Sequence, residues 1–447
     1  GSHRENGYLK YSRPQPMKII LNPSPEKWQK HLARPAMQTQ KINQIVKPIF
    51  EKVKKSGDKA LKKFAKEFDQ VRLDSLLVSA EEIQTAIPLV PDNLKKAIAL
   101  AKSNIEKFHA AQASPELIIE VMPGVTCSRK SVPIQRVGLY IPGGTAPLFS
   151  TVLMLGVPAQ LAGCKEIVLC TPTNREGAIH PAILYTAQLI GISKIIKVGG
   201  AQAIAALTFG TESVPQVDKI FGPGNQYVTA AKQMATKFGL AIDMPAGPSE
   251  VLVYADETAI PAFVAADLLS QAEHGVDSQV VLVSPSEEFA KKVLAEINIQ
   301  LESLPRKDIA SKALANSCAV ILEDQATAIA LINDYAPEHL ILAVAKEEEV
   351  LSQIYNAGSV FIGNFTPEAA GDYASGTNHT LPTYGYARNY SGVSLDSFVK
   401  KITYQKITPK GLQALGPAVE IMAENEQLHA HKNAVTLRLN SLKTKKK

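Results

Sequence analysis

The chain reads as an α/β protein: two Rossmann-like parallel-sheet domains with small N- and C-terminal arm domains. Three observations predict this. Between about residues 133 and 324, short β-branched runs alternate with alanine-rich helical stretches, which is the rhythm of strand–helix–strand units. The strand candidates are apolar at nearly every position rather than every second one, as in strands buried on both faces of a parallel sheet. The chain is also long, at 447 residues with 45% hydrophobic content, so two or three packed units are expected rather than one.

Residues 1–16 open on Gly1-Ser2-His3, which reads as an expression-tag scar, and are set aside as tag and leader; Met17, followed by the strand-like KIIL, reads as the natural start. Residues 17–45 are expected to form a peripheral N-terminal arm. From Glu51 to Phe68, lysines interleave with apolar residues at helical spacing, predicting an amphipathic helix with a wet face. Candidate strands then fall at 137–142, 166–172, 194–200, 219–224, 250–256, 279–285 and 318–324. Pro and Gly interrupt the rhythm at DMPAGPSE, 243–250, which divides the strands between two sheets. The expected first α/β domain is therefore 46–135 with 246–385, and the second is 136–245. Alternation stops after about Thr383. Residues 386–447 are expected to be a C-terminal arm, with an amphipathic helix from about Pro417 and a solvated lysine tail.

Composition excludes several functions. The formal charge is +6, but Lys443, Lys445, Lys446 and Lys447 carry four of those charges, and without them the body falls to +2. No aromatic interleaving or recognition motif accompanies the lysines, so nucleic acid is not an expected partner. No run is long and apolar enough for a membrane span, nor does the start carry a secretory pattern, so the expectation is a cytoplasmic protein. Cys127, Cys164, Cys170 and Cys318 are too sparse for a disulfide framework and form no CxxC pair; buried small hydrophobes are the plainer account.

Glycine turns follow three strands: IPGGTAP (141–147), VGGAQA (198–203) and FGPGNQ (221–226). Such turns let backbone approach a ligand and open helix N-termini to a phosphate. None matches GxGxxG, so each serves equally well as an ordinary tight turn. Five of the nine histidines lie late in the chain among polar or acidic neighbours: His274, His339, His379, His429 and His431. In SQAEHGVDSQ, Gln271 and His274 share a helix face at a spacing of three. In NDYAPEHLIL, Glu338 and His339 follow a proline that breaks a helix, and a carboxylate beside an imidazole can divide acid and base work. Solvated loop residues remain the plainer account of that dipeptide. AAGDYASGTNHTLPT, 369–383, packs more functional side chains than a linker needs: Asp372 could ligate a metal and His379 could reach a substrate. AENEQLHAHKNAV adds Glu426 and His431. Gln271, His274, Asp372 and His431 together make a nitrogen and oxygen set that suits zinc without thiolate.

As a set, AGPSEVLV, DLLSQAEHGVDSQ, APEHL, GDYASGTNH and the terminal GPAV and AH segments resemble, in order, the signature segments of the histidinol dehydrogenase family, and IPGGTAPL, VGGAQAIAAL and FGPGN resemble its cofactor-side turns. The resemblance runs from about Ile42 to Val435, with no departure at a mapped position. It implies one zinc ion per subunit on Gln271, His274, Asp372 and His431. It implies substrate contacts from Ser249, His379 and Glu426 besides the ligands and His339, and NAD contacts from Tyr140, Gln202 and Asn225. It further implies oxidation of L-histidinol to L-histidine in two hydride transfers, the last steps of histidine biosynthesis, with His339 as the base and Glu338 activating the water that hydrates the aldehyde. Finally, it implies a homodimer whose active site is shared, His431 and Glu426 acting across it.

Two other classes make different predictions. A thiol-dependent aldehyde dehydrogenase would lose activity with a cysteine and not with a chelator. A bilobed binding protein would use the cleft between two α/β lobes without chemistry, and such proteins are usually exported.

Overall fold

The computed structural model describes residues 17–143 and 146–444. The expected tag and leader, Gly144 and Thr145 of the first glycine turn, and the tail residues Lys445, Lys446 and Lys447 lie outside the described residues.

Six parallel strands form the larger sheet, in the spatial order Lys18–Leu21, Cys318–Ile321, Gln279–Ser284, Glu250–Ala255, His339–Ala343, Ser359–Ile362. Five more make a second parallel sheet, in the order Ile195–Ile196, Glu166–Cys170, Arg136–Tyr140, Lys219–Phe221, Ala241–Ile242. The third sheet is antiparallel, with Val125–Pro133 between Val399–Ile407 and Leu117–Met122. All seven strands expected from the sequence are present. Glu250–Ala255 and Gln279–Ser284 are buried at every residue, which is why they read as unbroken apolar runs. His339–Ala343 and Ser359–Ile362 escape the sequence reading, the first because its opening Glu-His looks like loop.

In three places the chain packs differently from the expected divisions. The N-terminal arm is integral: Lys18–Leu21 is an edge strand of the six-stranded sheet, and Trp28 and Leu32 are buried with Val281, Val320 and Leu340. The lysine-rich segment is two helices, Thr39–Ser56 and Asp58–Phe68. Their apolar stripes bury Val46, Phe50 and Leu61 together with Ile204 and Leu207 of the five-stranded side, and helix Asp92–Ala110 joins the other face of that sheet through Ile98 and Ile105. Residues of the stretch 46–135 thus pack mainly with the second sheet, not with 246–385. Periodicity reveals that a helix has an apolar stripe but not which sheet the stripe will cover. At the C-terminus, helix Pro409–Asn425 starts earlier than expected, capped by the Thr408 hydroxyl accepting the Gly411 N–H. It holds Pro417 inside and folds back into helix His429–Thr444.

The glycine turn at 221–226 is held from beneath. Lys232 and Asp243 form a buried ion pair at 2.5 Å; the Lys232 ammonium also donates to the Gly222 carbonyl, and the Gly222 N–H donates to Asp243. Removing either partner would leave a buried charge uncompensated, at a cost of about 3–5 kcal/mol. At Gly222 itself φ is +135° and a Cβ would sit 2.2 Å from the Tyr140 carbonyl oxygen. No side chain fits there, so the strand ends at 140 and 221 can lie side by side.

Candidate active site

In the five-stranded sheet, strand order reverses between Arg136–Tyr140 and Lys219–Phe221, and crevices at such a reversal open at the carboxyl ends of the strands. A cavity of about 1300 Å³ occupies that edge, lined among others by Tyr140, Thr171, Gly200, Gln202 and Asn225. Tyr140 is buried, its hydroxyl accepts the Gly200 N–H at 2.9 Å, and burial pushes its pKa up to about 12, so it stays a neutral phenol. Asn225 caps helix Gln226–Ala235 by accepting the Val228 N–H. It also lines a smaller adjoining cleft with Ser249, His274 and Asp277. The three residues expected on the cofactor side therefore share one cavity, and Asn225 connects it to the other sheet.

The six-stranded sheet presents its opposite, amino edge to this cleft. Order reverses there between Glu250–Ala255 and His339–Ala343, and Glu250 and His339 open their strands. The approach to His339 is tightly specified. Helix Gln325–Tyr335 ends at Ala336, whose φ of 52° costs a non-glycine residue about 1–2 kcal/mol. Pro337 follows, and Gly358 packs so close that a Cβ would lie 2.4 Å from the Glu338 carbonyl oxygen. Glu338 and His339 are consequently both buried, each 4% exposed, and not the solvated loop pair that the dipeptide alone suggests.

His339 Nδ1 lies 2.9 Å from the Glu250 carbonyl oxygen. A carbonyl can only accept, so Nδ1 carries a proton and Nε2 is the nitrogen left to gain or lose one. Nε2 is buried with no hydrogen bond, and its nearest acidic neighbour is Asp372, at 3.7 Å. Glu368 Oε1 lies 3.0 Å from Nδ1 but out of line with the N–H and makes no hydrogen bond. Burial by itself would push the imidazole pKa down; Glu368, Glu338 and Asp372 outweigh it and hold it well above the usual range. Burial raises the Glu338 pKa to about 8, against the pull of His339 and of the Glu250 N–H, which donates to Glu338 Oε2 at 2.9 Å.

Asp372 lies beside this pair, and Gln271 adjoins Ser270, whose hydroxyl is 3.4 Å from Glu368 Oε2. Gln271 is fully buried near the end of helix Pro261–Ala272, and both its side-chain oxygen and nitrogen lack a partner. An amide left so is a ligand in waiting, because burying it unpaired is costly. The helix stops at Ala272, so His274 sits in the following turn, exposed on the cleft wall, and not on the shared helical face that the spacing suggests. Burial disfavours the Asp372 carboxylate, but His339, His379 and His274 together hold its pKa below the ordinary value. His379 Nδ1 donates to the Asp372 carbonyl at 2.9 Å, leaving Nε2 to accept from the Thr151 hydroxyl at 3.2 Å; burial lowers its pKa. Glu426 and His431 lie apart, exposed on the C-terminal helical hairpin. Within one chain His431 does not complete the expected metal set, and among the described residues the acidic and histidine side chains close enough to share an ion are His339, Glu368 and Asp372.

Sequence reasoning misses Glu250 and Glu368. Glu250 sits in an apolar strand and leaves no periodic signal. Glu368 does: it stands four residues before Asp372, which places both on one face of a helix, here Glu368–Tyr373. None of the four cysteines lines either cavity, and burial pushes Cys164 up to about 11 and Cys170 and Cys318 up to about 12. They are poor nucleophiles.

A buried imidazole with an unpartnered nitrogen on one parallel sheet, and a cavity of dinucleotide size at the carboxyl edge of the other, are the equipment of an α/β oxidoreductase. The sequence matches the family model for histidinol dehydrogenase over residues 32–439. It is 60% identical over 427 residues to histidinol dehydrogenase of Bacteroides thetaiotaomicron, covering 96% of this chain and 100% of that one. Identity to the Escherichia coli histidinol dehydrogenase is 52% over 415 residues, covering 92% and 95%. The crystal structure of histidinol dehydrogenase from Elizabethkingia anophelis superimposes with a TM-score of 0.94 at 59% identity, covering 96% of this chain and 99% of that one. The chain belongs to the histidinol dehydrogenase family and is an oxidoreductase.

Proposed function

We propose that this cleft oxidises L-histidinol through L-histidinaldehyde to L-histidine, completing histidine biosynthesis, with NAD as acceptor and zinc as resident metal, in a cytoplasmic homodimer. The observation that carries the reading is the orientation of His339: its Nδ1–H is committed to the Glu250 carbonyl, which leaves the unpartnered Nε2, 3.7 Å from Asp372, as the nitrogen for proton transfer.

The residues fit the metal. Gln271 offers a buried, unpartnered amide, Asp372 an anionic oxygen and His274 an imidazole; with His431 of the partner subunit they would hold zinc. Glu368 lies on the N–H side of His339 and serves to orient the ring. When bound, NAD accepts the hydride and zinc fixes the substrate nitrogens while offsetting the carboxylates' pull on His339. His339 Nε2 removes the hydroxyl proton as the C–H bond breaks, giving the aldehyde. Glu338 then takes a proton from water as it adds to the aldehyde carbon, and His339 removes a proton from the hydrate in the second oxidation. Ser249, His379 and Glu426 are proposed to hold the substrate, and Tyr140, Gln202 and Asn225 the cofactor.

Exposed Leu117, Ile118 and Val121 on an edge strand, and Ile421, Met422 and Leu437 on the hairpin, support the dimer. All four cysteines are free, which suits a reducing compartment. Among the described residues no helix is long and apolar enough to cross a membrane.

The test is NADH formation from L-histidinol and NAD, with histidine quantified. Two NADH per histidine, lost on chelation and restored by zinc, is expected. No turnover by folded, zinc-loaded protein would overturn the reading.

A further inference from the structure

Next to the catalytic pair lies a charged network that the proposed reaction does not use. Its source is Arg34, on the stretch that follows the buried anchors Trp28 and Leu32. The guanidinium forks onto Glu250, Nε to Oε2 at 2.5 Å and Nη2 to Oε1 at 2.8 Å. Nη2 also donates to the Tyr335 carbonyl at 2.5 Å, and the guanidinium carbon stacks 4.0 Å over the Tyr335 ring. The Tyr335 hydroxyl donates to Gln279, whose amide donates to the Ala33 carbonyl, closing a loop back to the arm.

Both groups that Arg34 grips lead directly to the chemistry. Tyr335 ends the helix three residues before Glu338. Glu250 holds the catalytic dipeptide at three points: its side chain accepts the Glu338 N–H at 3.3 Å, its N–H donates to Glu338 Oε2, and its carbonyl accepts the His339 Nδ1–H. Glu250 is itself 1% exposed and stands in a pocket with Glu338 and Glu368, two further carboxyl groups. A third buried carboxyl group there needs a fixed hydrogen-bonding partner to stay in place. Bidentate geometry supplies direction as well as charge, which a lysine ammonium does not.

We propose that Arg34 and Glu250 act as one positioning unit for Glu338 and His339: the N-terminal arm delivers the guanidinium that keeps Glu250, and through it the base and the hydration residue, in catalytic register. This inference rests on the roles proposed for Glu338 and His339. It places no contact between Arg34 and substrate, cofactor or metal.

The unit predicts a split that a purely structural arginine does not. Arg34→Met and Glu250→Gln should each lower kcat for histidinol about 10–100-fold, as loss of a group that orients a catalytic residue does, with KM for histidinol and NAD within about threefold. Arg34→Lys should recover only part of the loss. The Arg34→Met, Glu250→Gln double variant should fall no further than the worse single variant, because coupled groups are not additive. Arg34 is 14% exposed in its side chain, so added guanidinium ion should partly restore Arg34→Ala. Zinc content and Tm are measured on every variant, and Glu250→Gln, nearly isosteric, carries the test if the arginine variants fail to fold. An unchanged kcat in folded variants, losses that multiply in the double variant, or a rise confined to KM would overturn the proposal while leaving wild-type turnover intact. Absence of turnover in the wild type would instead overturn the reading beneath it.

Discussion

Glu338 shows how much one side chain owes to its surroundings. The carboxyl is buried, its pKa is held near 8 chiefly by that burial, and one oxygen accepts the Glu250 N–H. A group of that kind exchanges protons near neutral pH and suits activation of water. Glu338→Gln keeps the shape and the hydrogen-bonded oxygen but removes the base. Oxidation of histidinaldehyde should therefore slow by about 10²–10³-fold, while conversion of histidinol to the aldehyde changes by less than about tenfold. Separate assays with the two substrates check this, and equal losses in both would remove Glu338 from the hydration step. As a dipeptide, Glu-His gave no sign of this environment. What marked these residues was the ordered set of segments around them, because no spacing rule connects positions 271, 339 and 372.

At the scale of elements, helix Asp92–Ala110 carries a histidine that looks ordinary in sequence. His109 is fully buried, Nδ1 donates to the Ile105 carbonyl at 2.8 Å, and Nε2 accepts from the Asn378 amide at 3.3 Å. That amide also donates to the Met154 carbonyl, so Asn378, in the loop before His379, joins His109 to helix Phe149–Ala162. Burial pushes its pKa below 6.5 despite the Ile105 bond. The unfolded chain thus takes up this proton first as pH falls. Stability from His109 is complete above pH 6.5 and is lost as pH drops toward the lower folded value, by at most about 1.4 kcal/mol per pH unit for one proton. His109→Gln should flatten that part of the stability curve, read from denaturant unfolding at several pH values. An unchanged slope would show that His109 is not the titrating group.

For the whole molecule, the decisive question is where Glu426 and His431 act. Both are exposed on a hairpin whose apolar residues Ile421, Met422 and Leu437 are also exposed, and nothing in the same chain brings them to Asp372. If the site is shared across a two-fold axis, two variants that each fail to form histidine complement each other in histidine formation. His431→Ala mixed with Glu338→Gln, unfolded and refolded together, should regain about a quarter of the wild-type sites, since half the random dimers are mixed and one site in each is intact. No regain, with dimers present by light scattering, would place His431 in its own chain's site or outside it.

The sequence by itself determined the α/β class, the seven strands it named and the family, because continuous apolar strands and ordered motifs are local or linear signals. Only the tertiary structure decided which sheet the early helices cover, and that the N-terminal arm completes one sheet and sends Arg34 to Glu250. It alone set Glu250 and Glu368 beside His339. A helical stripe carries no address, and Arg34 stands 216 residues from Glu250. Their meeting follows from the order in which strands join the sheet, and a linear pattern does not record that order.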